Sequence, residues 1–429
     1  MAFGPANYSD HIAGGLVREL WPDEALIEEV ILKDSLLGAI SKDTNYEYAV
    51  KHFPLGWGGS QGIGRNAADA KRFKSNTKSQ EFQVSTKEMY EFLSLEGKLL
   101  RAARAKGGGK GKALLVDPVT REGERALANM RLRFSKSLHG DGVGVLGRIS
   151  GGSNVATATI TLTDGNDLKN FPVDTPLMVE STGALGGTPL TGEGRVLRVG
   201  TYDSPTVTLT VDGTNTAVWS DVFPGIAAGD RLYLVGTYSD DFIYGLDAFN
   251  PAHTGTPGTF LTCNRDLNPT LFAGHVMDGS TLTCLQRVKR AARILYDYGE
   301  EPDIYIVSTR TFEKFEAEAE SKMRLDKVPA ASVGKYNFGV NYDAYVVQGP
   351  AGPIKIMTSV FMPDNVERCG KLSTLELGSI GNLVGWDVGN GPQNMRTEDA
   401  TDSRELRAVS DPAFVNKHPG AWMRVATST

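Results

Sequence analysis

Cysteine is scarce in this chain of 429 residues, which has three cysteines and no CxxC spacing. Cys263, Cys284 and Cys369 therefore exclude a disulfide framework and a zinc knuckle, and this usage is typical of a reducing compartment. No apolar run approaches the ~20 residues that a membrane-spanning helix needs. The N-terminus has no basic segment followed by an apolar run, so we expect no signal peptide and a soluble protein made in a cytoplasm.

The chain also lacks an excess of basic residues. Its 45 basic and 51 acidic residues give a formal charge of −6, which excludes a protein whose whole surface binds nucleic acid. Apolar residues at 40% and charged residues at 22% are ordinary values for globular proteins. The length predicts several domains, and the 49 glycines indicate many turns or irregular loops.

No convincing catalytic or cofactor-binding motif is present. Residues 58–62 match the string GxSxG, but a nucleophile elbow needs a buried strand before the serine, and the flanks here are polar. Residues 62–67 fit a loose dinucleotide-binding pattern without the βαβ unit that gives it meaning. The six histidines are dispersed and have no zinc-binding spacing. We therefore expect no enzyme activity, no metal and no cofactor.

Residues 45–95 have the alternating pattern of a long β-hairpin. Tyr46, Tyr48 and Val50 share one face of an extended segment, and Phe82 and Val84 alternate again after a polar, basic, glycine-rich stretch. Two arms of about 13 residues would each reach roughly 43 Å. A lone hairpin of this kind is only marginally stable in water. Because no other segment offers matching strands, the sequence predicts that another copy of the protein covers this hairpin.

Two strong helices are predicted further along the chain. Asp117 is a suitable N-cap, and Pro118 suits the first turn of a helix of about 20 residues. Ser280 is the predicted N-cap of the second helix, which Gly299 ends. The first helix is predicted to bury Leu127, Met130, Phe134 and Leu138. The second is predicted to bury Leu282, Leu285, Val288, Ala292 and Leu295.

The segment between these helices has a different composition. Residues 151–240 are rich in Thr, Val, Gly and Asp, and short strand patterns alternate with Asp-Gly and Pro-Gly turn signals. The same segment holds four basic and ten acidic residues, so it accounts for the whole net charge. This pattern predicts a self-contained β-module inserted into another domain.

The order of these elements resembles the tailed-phage major capsid proteins of the Hong Kong 97 fold. Sequences that look like members of that family are residues 54–62 (PLGWGGSQG), 82–84 (FQV) with Tyr90, 138–147 (LHGDGVGVLG) and 416–425 (NKHPGAWMRV). The resemblance extends over nearly the whole chain except residues 151–240. It implies an α+β fold with an N-terminal arm, an E-loop hairpin, a spine helix, a P-domain and an A-domain, into which an all-β subdomain is inserted.

The resemblance also implies a division of the chain and a set of assembly residues. The segments are the N-terminal arm and the start of the P-domain (1–44), the E-loop (45–95), the P-domain with its spine helix (96–149), the inserted β-rich subdomain (150–240), the A-domain (241–370) and the returning strands (371–429). E-loop residues expected at contacts between subunits are Tyr46, Tyr48, Pro54, Trp57, Arg65, Lys71, Lys74, Phe82 and Val84. The residues assigned to the spine helix are Asp117, Leu127, Met130, Phe134 and Leu138.

The function implied is that of a self-assembling capsid subunit. Copies would form the hexamers and pentamers of an icosahedral phage head that encloses double-stranded DNA, assembled in the host cytoplasm and retained in the virion. The expected partners are other copies, portal and scaffolding proteins, a decoration protein in some phages, and packaged DNA through weak non-specific contacts, but no membrane. Two alternatives stay open: an encapsulin-type shell with protein cargo, and a glycan-binding surface protein, which would explain only the β-module.

Overall fold

The computed structural model describes most of the chain. The described residues are 35–43, 46, 50–59, 62–72, 74–96, 118–181, 189–236, 242–322, 346–380, 385–386, 396–397 and 402–427. Tyr48 and Asp117 lie outside them. The chain divides into two compact units, one of residues 140–244 and the other of residues before and after that segment.

The described strands, numbered along the chain, are β1 Ser41–Asp43, β2 Val50–Trp57, β3 Lys78–Ser85, β4 Met89–Glu96, β5 Val145–Arg148, β6 Thr159–Thr161, β7 Pro176–Glu180, β8 Gly194–Thr201, β9 Ser204–Thr210, β10 Arg231–Leu234, β11 Thr259–Phe260, β12 Cys263–Asn264, β13 His275–Asp278, β14 Ile304–Ser308, β15 Val346–Gln348, β16 Pro353–Ser359, β17 Val366–Gly370, β18 Leu375–Ser379, β19 Gly385–Trp386, β20 Arg396–Thr397, β21 Ser403–Ser410, β22 Pro412–Asn416 and β23 Met423–Ala426.

The described α-helices are α1 Ser35–Ala39, α2 Ala67–Arg72, α3 Pro118–Ser137, α4 Trp219–Val222, α5 Leu246–Phe249, α6 Pro269–Phe272, α7 Cys284–Asp297 and α8 Thr309–Lys322. Short 3₁₀-helices occur at Gly165–Asn170, Arg265–Leu267, Leu372–Thr374 and Pro419–Ala421. The mixture of helix and sheet agrees with the predicted α+β class.

Six strands close into a small β-barrel in the unit of residues 140–244. They are hydrogen-bonded in the order β5-β10-β7-β8-β9-β6, and Ile149 then bridges to Leu162, so that the last strand meets the first. The Ser150 N–H donates to the Thr161 carbonyl (2.8 Å) at this closure. Inward-pointing residues alternate along the strands and fill the interior of a barrel of this size. The buried core includes Ile160, Phe171, Leu177, Val179, Val196, Val207, Leu209, Trp219 and Leu232.

The other unit is built on a mixed six-stranded sheet. Its strands lie in the order β13-β23-β17-β14-β16-β15, and α7 and α8 pack against it. The core between the sheet and the two helices includes Met277, Val288, Ala292, Leu295, Val307, Phe315, Ile356, Cys369 and Val425.

Helix α7 begins later than the sequence predicts. The predicted N-cap, Ser280, belongs instead to the turn after β13, where its N–H donates to Asp278 Oδ1 (2.9 Å). The observed N-cap is Thr283, whose N–H donates to Gln286 Oε1 (3.1 Å), the backward bond of a capping box. Leu285, predicted to be buried, is only partly buried against the core.

The buried face of α7 also includes a charged residue that the prediction omitted. The Arg287 guanidinium donates to both carboxylate oxygens of Glu367, from Nε to Oε2 (2.9 Å) and from Nη2 to Oε1 (2.7 Å). Tyr305 donates its hydroxyl to the same carboxylate. A buried charge needs a partner of this kind, because an isolated charge in the core is costly. The ion pair therefore explains how an arginine lies between apolar positions of this helix.

Helix α3 begins at Pro118, as predicted, and packs against β4. Strand β4 belongs to a four-stranded sheet, in which β21 pairs with β4 on one side and with β19 and β20 on the other.

The side chains of α3 lie in a partly buried setting. Arg133 of α3 faces Glu91 of β4. Burial lowers the pKa of Arg133 to about 10 and raises the pKa of Glu91. Leu127 lies in the helix, but its side chain is outside the described part. The predicted burial is confirmed for Met130 and Phe134 of this helix and for Leu138, which directly follows it.

The hairpin is shorter than the sequence predicts. Strands β2 and β3 pair in antiparallel register from Val50 opposite Ser85 to Trp57 opposite Lys78. Eight residues span about 26 Å, not the 43 Å predicted from arms of 13 residues. The chain leaves the hairpin after Ser85, because the Lys87 N–H donates to the Pro412 carbonyl (3.0 Å) and β4 then pairs with β21. Strand β1 pairs with β18, and β18 with β22, in a separate three-stranded sheet.

Truncation of α7 tests its buried face. Leu295 is fully buried, so Leu295→Ala should lower the free energy of unfolding by about 2–5 kcal/mol through the cavity that it creates. Leu285→Ala, on the partly buried side of the same helix, should cost clearly less. Urea denaturation followed by circular dichroism measures both values. Equal losses for the two variants would show that the orientation of the helix is wrong.

Candidate functional site

The β2–β3 hairpin has two different faces. Residues opposite each other in an antiparallel pair point to the same side, so Phe53 shares a face with Phe82, and Trp57 with Lys78. This inner face contains the buried residues of the hairpin, including Val84. The outer face is largely exposed. The predicted alternation of Phe82 and Val84 is confirmed, because both side chains are buried on the inner face. The predicted face of β2 is wrong at Val50, which is exposed on the outer face.

Three phenylalanines of the same chain lie against the inner face. We call Phe249, Phe260 and Phe272 the aromatic platform. The Phe82 ring lies 5.9 Å from Phe249 and 6.3 Å from Phe260 between centroids, and Trp57 meets Phe272 edge-on at 6.4 Å. Edge-to-face contacts at these separations are favourable beyond the apolar area that they bury. We predicted that no other segment of the same chain covers the hairpin. That prediction is wrong for the paired strands β2 and β3, which we call the base of the hairpin.

Polar contacts fix the platform to β3. The Cys263 thiol and the Asn264 N–H both donate to Gln80 Oε1, at 3.2 and 2.9 Å. Burial raises the pKa of Cys263 to about 11, so the thiol keeps its proton at neutral pH. Arg265 holds the loop that carries Phe260, because it donates to three backbone carbonyls and its guanidinium lies 4.8 Å from the Phe260 ring centroid. The hairpin base is thus attached by side chains as well as by packing.

A group of charges fixes the start of the hairpin. Lys51 Nζ lies 3.1 Å from Asp43 Oδ2 and 3.2 Å from Glu376 Oε1, and it lies over the rings of Tyr46 and Phe53. Partial burial favours loss of the ammonium proton. The hydrogen bonds to Asp43 and Glu376 outweigh that effect, so the pKa of Lys51 is raised above its ordinary value. Lys51 thereby connects β2 to β1 and to β18.

Tyr46 is part of the same attachment. Its side chain is buried, and its N–H donates to the Ser379 carbonyl (3.3 Å). The ring lies directly over Gly378, where a β-carbon would collide with it. Burial, together with the charges of Glu376 and Asp43, raises the pKa of the Tyr46 hydroxyl well above its usual range.

The far end of the hairpin is different in kind. We call residues 58–77 the tip, of which 60, 61 and 73 lie outside the described residues. Helix α2 lies within the tip and buries none of its residues. Gly62 and Gly64 pack so closely on this helix that a β-carbon would lie 2.7 Å from the Ala70 carbonyl oxygen or 2.6 Å from the Ala70 nitrogen. Gly62 and Gly64 belong to the loose dinucleotide-binding pattern of residues 62–67. Close packing inside the tip explains why glycine occupies both positions.

The surface of the tip is basic and carries an exposed apolar side chain. Over residues 58–77 the sequence has four basic residues and one acidic residue, Asp69. Arg65, Lys71 and Lys74 are exposed, and Ile63 has 88% of its surface accessible. An exposed aliphatic residue among cations is suited to contact with an acidic surface that also offers an apolar depression.

The predicted assembly residues fall into two groups. Tyr46, Phe82 and Val84 are buried within their own chain, which leaves little surface for a second copy to contact, and Trp57 is partly buried on the platform. Tyr48 lies outside the described residues. The remaining predicted residues are exposed on the outer face or the tip: Pro54, Arg65, Lys71 and Lys74.

Most of the residues that attach the hairpin could not be predicted from the sequence. Phe249, Phe260 and Phe272 are far from the hairpin in the chain, and no periodic pattern marks them. Lys51 could have been found, because a lysine within an alternating apolar strand needs a counter-charge, but its acidic partners come from two other strands.

The described part of the chain has neither a cluster of metal ligands nor a helix suited to span a membrane. No three His, Cys, Asp or Glu side chains are grouped there in a way that could hold a metal ion. None of the described helices combines the length and the apolar character needed to cross a bilayer.

Truncation of Phe82 tests the attachment of the hairpin. Phe82→Ala removes a fully buried ring from the aromatic platform and should lower the free energy of unfolding by about 3–5 kcal/mol. Ile63→Ala in the exposed tip is the matched control and should change stability by less than about 0.5 kcal/mol. Thermal and urea denaturation measure both variants. A Phe82→Ala protein as stable as the control would contradict the packing described here.

Comparison with known proteins gives similarity at the level of structure. No protein-family model and no curated protein matches the sequence. A chain of the cyanophage A-1(L) capsid asymmetric unit matches over 94% of this chain and 97% of its own length, with 12% identity and a TM-score of 0.52. A chain from the capsid of the native GTA particle matches over 96% of both chains (10% identity, TM-score 0.46). A chain of Mycobacterium phage Ogopogo covers 97% of this chain and 99% of its own (10% identity, TM-score 0.44).

The cyanophage capsid chain alone among these three has a TM-score above 0.5, and the shared fold rests on it. The match extends over nearly the whole of both chains. The predicted resemblance to tailed-phage capsid proteins is therefore confirmed for the fold. This chain has the fold of a phage capsid protein.

Proposed function

We propose that the chain is the major capsid subunit of a tailed phage. Copies assemble into hexamers and pentamers of an icosahedral shell around double-stranded DNA, and the protein resides in the virion. Its role is structural rather than enzymatic. Portal and scaffolding proteins, and a decoration protein in some shells, are further partners. The exposed tip of an attached hairpin, in a chain with a capsid-protein fold, is the observation that carries this proposal.

The division of the hairpin supports a role in assembly. Its inner face is covered by the aromatic platform, so the base is held in one orientation on its own subunit. Its tip is exposed and has the composition of a contact surface. In a subunit built in this way, the base of the hairpin is already ordered before the tip contacts a neighbour. Association then costs less conformational entropy.

The distribution of charge supports a shell that holds DNA weakly. Residues 140–244 contain five basic and twelve acidic residues, whereas the rest of the chain is close to neutral. Attraction to DNA grows with the number of cations presented to its phosphates. A subunit without a large basic surface therefore leaves packaged DNA free to move. The basic tip, by contrast, suits an acidic protein surface on the neighbouring copy.

Deletion of residues 60–77 tests the role of the tip. The deletion joins Gly59 to Lys78, so Trp57 and Lys78 would close a two-residue Gly-Gly turn, a favoured connection for an antiparallel hairpin. The base would keep its platform contacts, and the subunit should fold with a melting temperature close to that of the full chain. Negative-stain electron microscopy should show shells or capsomers for the full chain and none for the deletion variant.

Two results would contradict the proposal in different ways. A full-length protein that remains a monomer at micromolar concentration, alone and with its scaffold, would contradict the assembly function. Complete shells from a folded deletion variant would agree with the assembly function but would show that the tip is not needed for it. Charge reversal of Lys71 and Lys74 to Glu is a gentler control that leaves the loop length unchanged.

A further inference from the structure

The two edges of the β2–β3 ribbon are treated differently by the fold. On the β3 edge, the Gln83 N–H donates to the Leu261 carbonyl (3.2 Å), and the Thr262 hydroxyl lies 3.4 Å from the Glu81 carbonyl oxygen. Leu261 and Thr262 form the tight turn between β11 and β12, with φ of 47° and 70°. A turn in this left-handed conformation cannot continue the sheet. The turn therefore closes the middle of the β3 edge, at Glu81 and Gln83.

The same hydrogen bonds determine which backbone groups of β2 point outward. Residues along an antiparallel pair alternate between hydrogen-bonded and non-hydrogen-bonded positions. Gln83 donates away from β2, so its partner His52 is in a non-hydrogen-bonded pair, and so is Pro54, two residues further and opposite Glu81. The β2 residues whose backbone groups point away from β3 are therefore Val50, His52, Pro54 and Gly56.

This outward row is open, and a proline lies within it. Among the residues that the structure describes, none forms a backbone hydrogen bond with this edge of β2. An open strand edge is a template for pairing with another chain. Pro54 is exposed and has no N–H, so the row lacks one donor within a strand of only eight residues. Proline is found on strand edges for this reason.

We propose that Pro54 prevents the open β2 edge from pairing with the β2 edge of a second copy. The second copy is the occupant that fits, because two identical edges that meet in antiparallel order are related by a two-fold axis. Pairing centred on position 54 would place the two prolines in one hydrogen-bonded pair, where neither can donate. Because the middle of the β3 edge is closed, release of this block would give a discrete pair of hairpins rather than a fibre.

This inference goes beyond the proposed function. It concerns an association that the hairpin avoids, and it holds whether or not copies form a shell. In a protein that assembles, hairpins of many copies would be concentrated together, so an unprotected edge would compete with the correct contact of the tip. The edge is thus an interaction surface that the chain keeps unused.

Disulfide trapping tests the proposal. In Pro54→Cys the block is removed and a thiol takes its place. The two Cα atoms of a hydrogen-bonded pair lie about 5.5 Å apart, within the roughly 4.4–6.8 Å that a disulfide spans. Ser79→Cys is the matched control, because Ser79 is exposed on the same outer face but belongs to the strand whose edge is closed in its middle. The native cysteines are buried.

Under mild oxidation, linked pairs on a non-reducing gel should form at least about fivefold faster for Pro54→Cys than for Ser79→Cys, because edge pairing brings the thiols together. Equal rates would overturn the proposal. Circular dichroism establishes that both variants are folded. The gel counts linked chains, so a failure of the protein to form shells would leave this comparison unchanged.

A second pair of variants separates the missing donor from other effects of proline. Pro54→Val restores the N–H and should increase the fraction of paired particles in sedimentation velocity, whereas Pro54→Lys restores the N–H but places a charge on the edge, which discourages pairing. We expect the lysine variant to sediment like the unsubstituted protein. A valine variant that does not pair, or a lysine variant that pairs as much as valine, would contradict a block at this edge.

Discussion

The contact between the inner face of the hairpin and the aromatic platform holds the base of the hairpin on its own subunit. A ribbon of two eight-residue strands is marginal in water by itself. Packing of Phe82 on Phe249 and Phe260, together with the ion pairs of Lys51, supplies the missing stabilisation from the same subunit. Because the base is satisfied internally, the tip is the part left to make contacts elsewhere.

This division also explains the placement of charge. The tip has four basic residues and one acidic residue, while residues 140–244 form an acidic barrel with its own core. The two features lie in separate compact units, so each can change without disturbing the core of the other. In the proposed shell subunit, the tip would serve as the contact element.

The sequence was most informative where structure depends on local signals. Helix α3 starts at Pro118 as predicted, because proline suits the first turn of a helix. The start of α7 was missed, since Ser280 and Thr283 are both good caps and only the neighbouring Asp278 decides between them. The hairpin was predicted too long, because its break depends on a bond from Lys87 to a distant strand. The platform and the barrel closure involve partners remote in sequence, which periodicity does not reveal.

Cross-linking between mixed copies distinguishes contacts between subunits from contacts within one subunit. Shells or capsomers are assembled from equal amounts of nitrogen-isotope-labelled and unlabelled protein and treated with a lysine-specific cross-linker. We predict that peptides containing Lys71 or Lys74 of the tip are linked between labelled and unlabelled chains, while Lys51 at the base links only within a chain. Tip lysines that link only to their own chain in assembled particles would contradict the account.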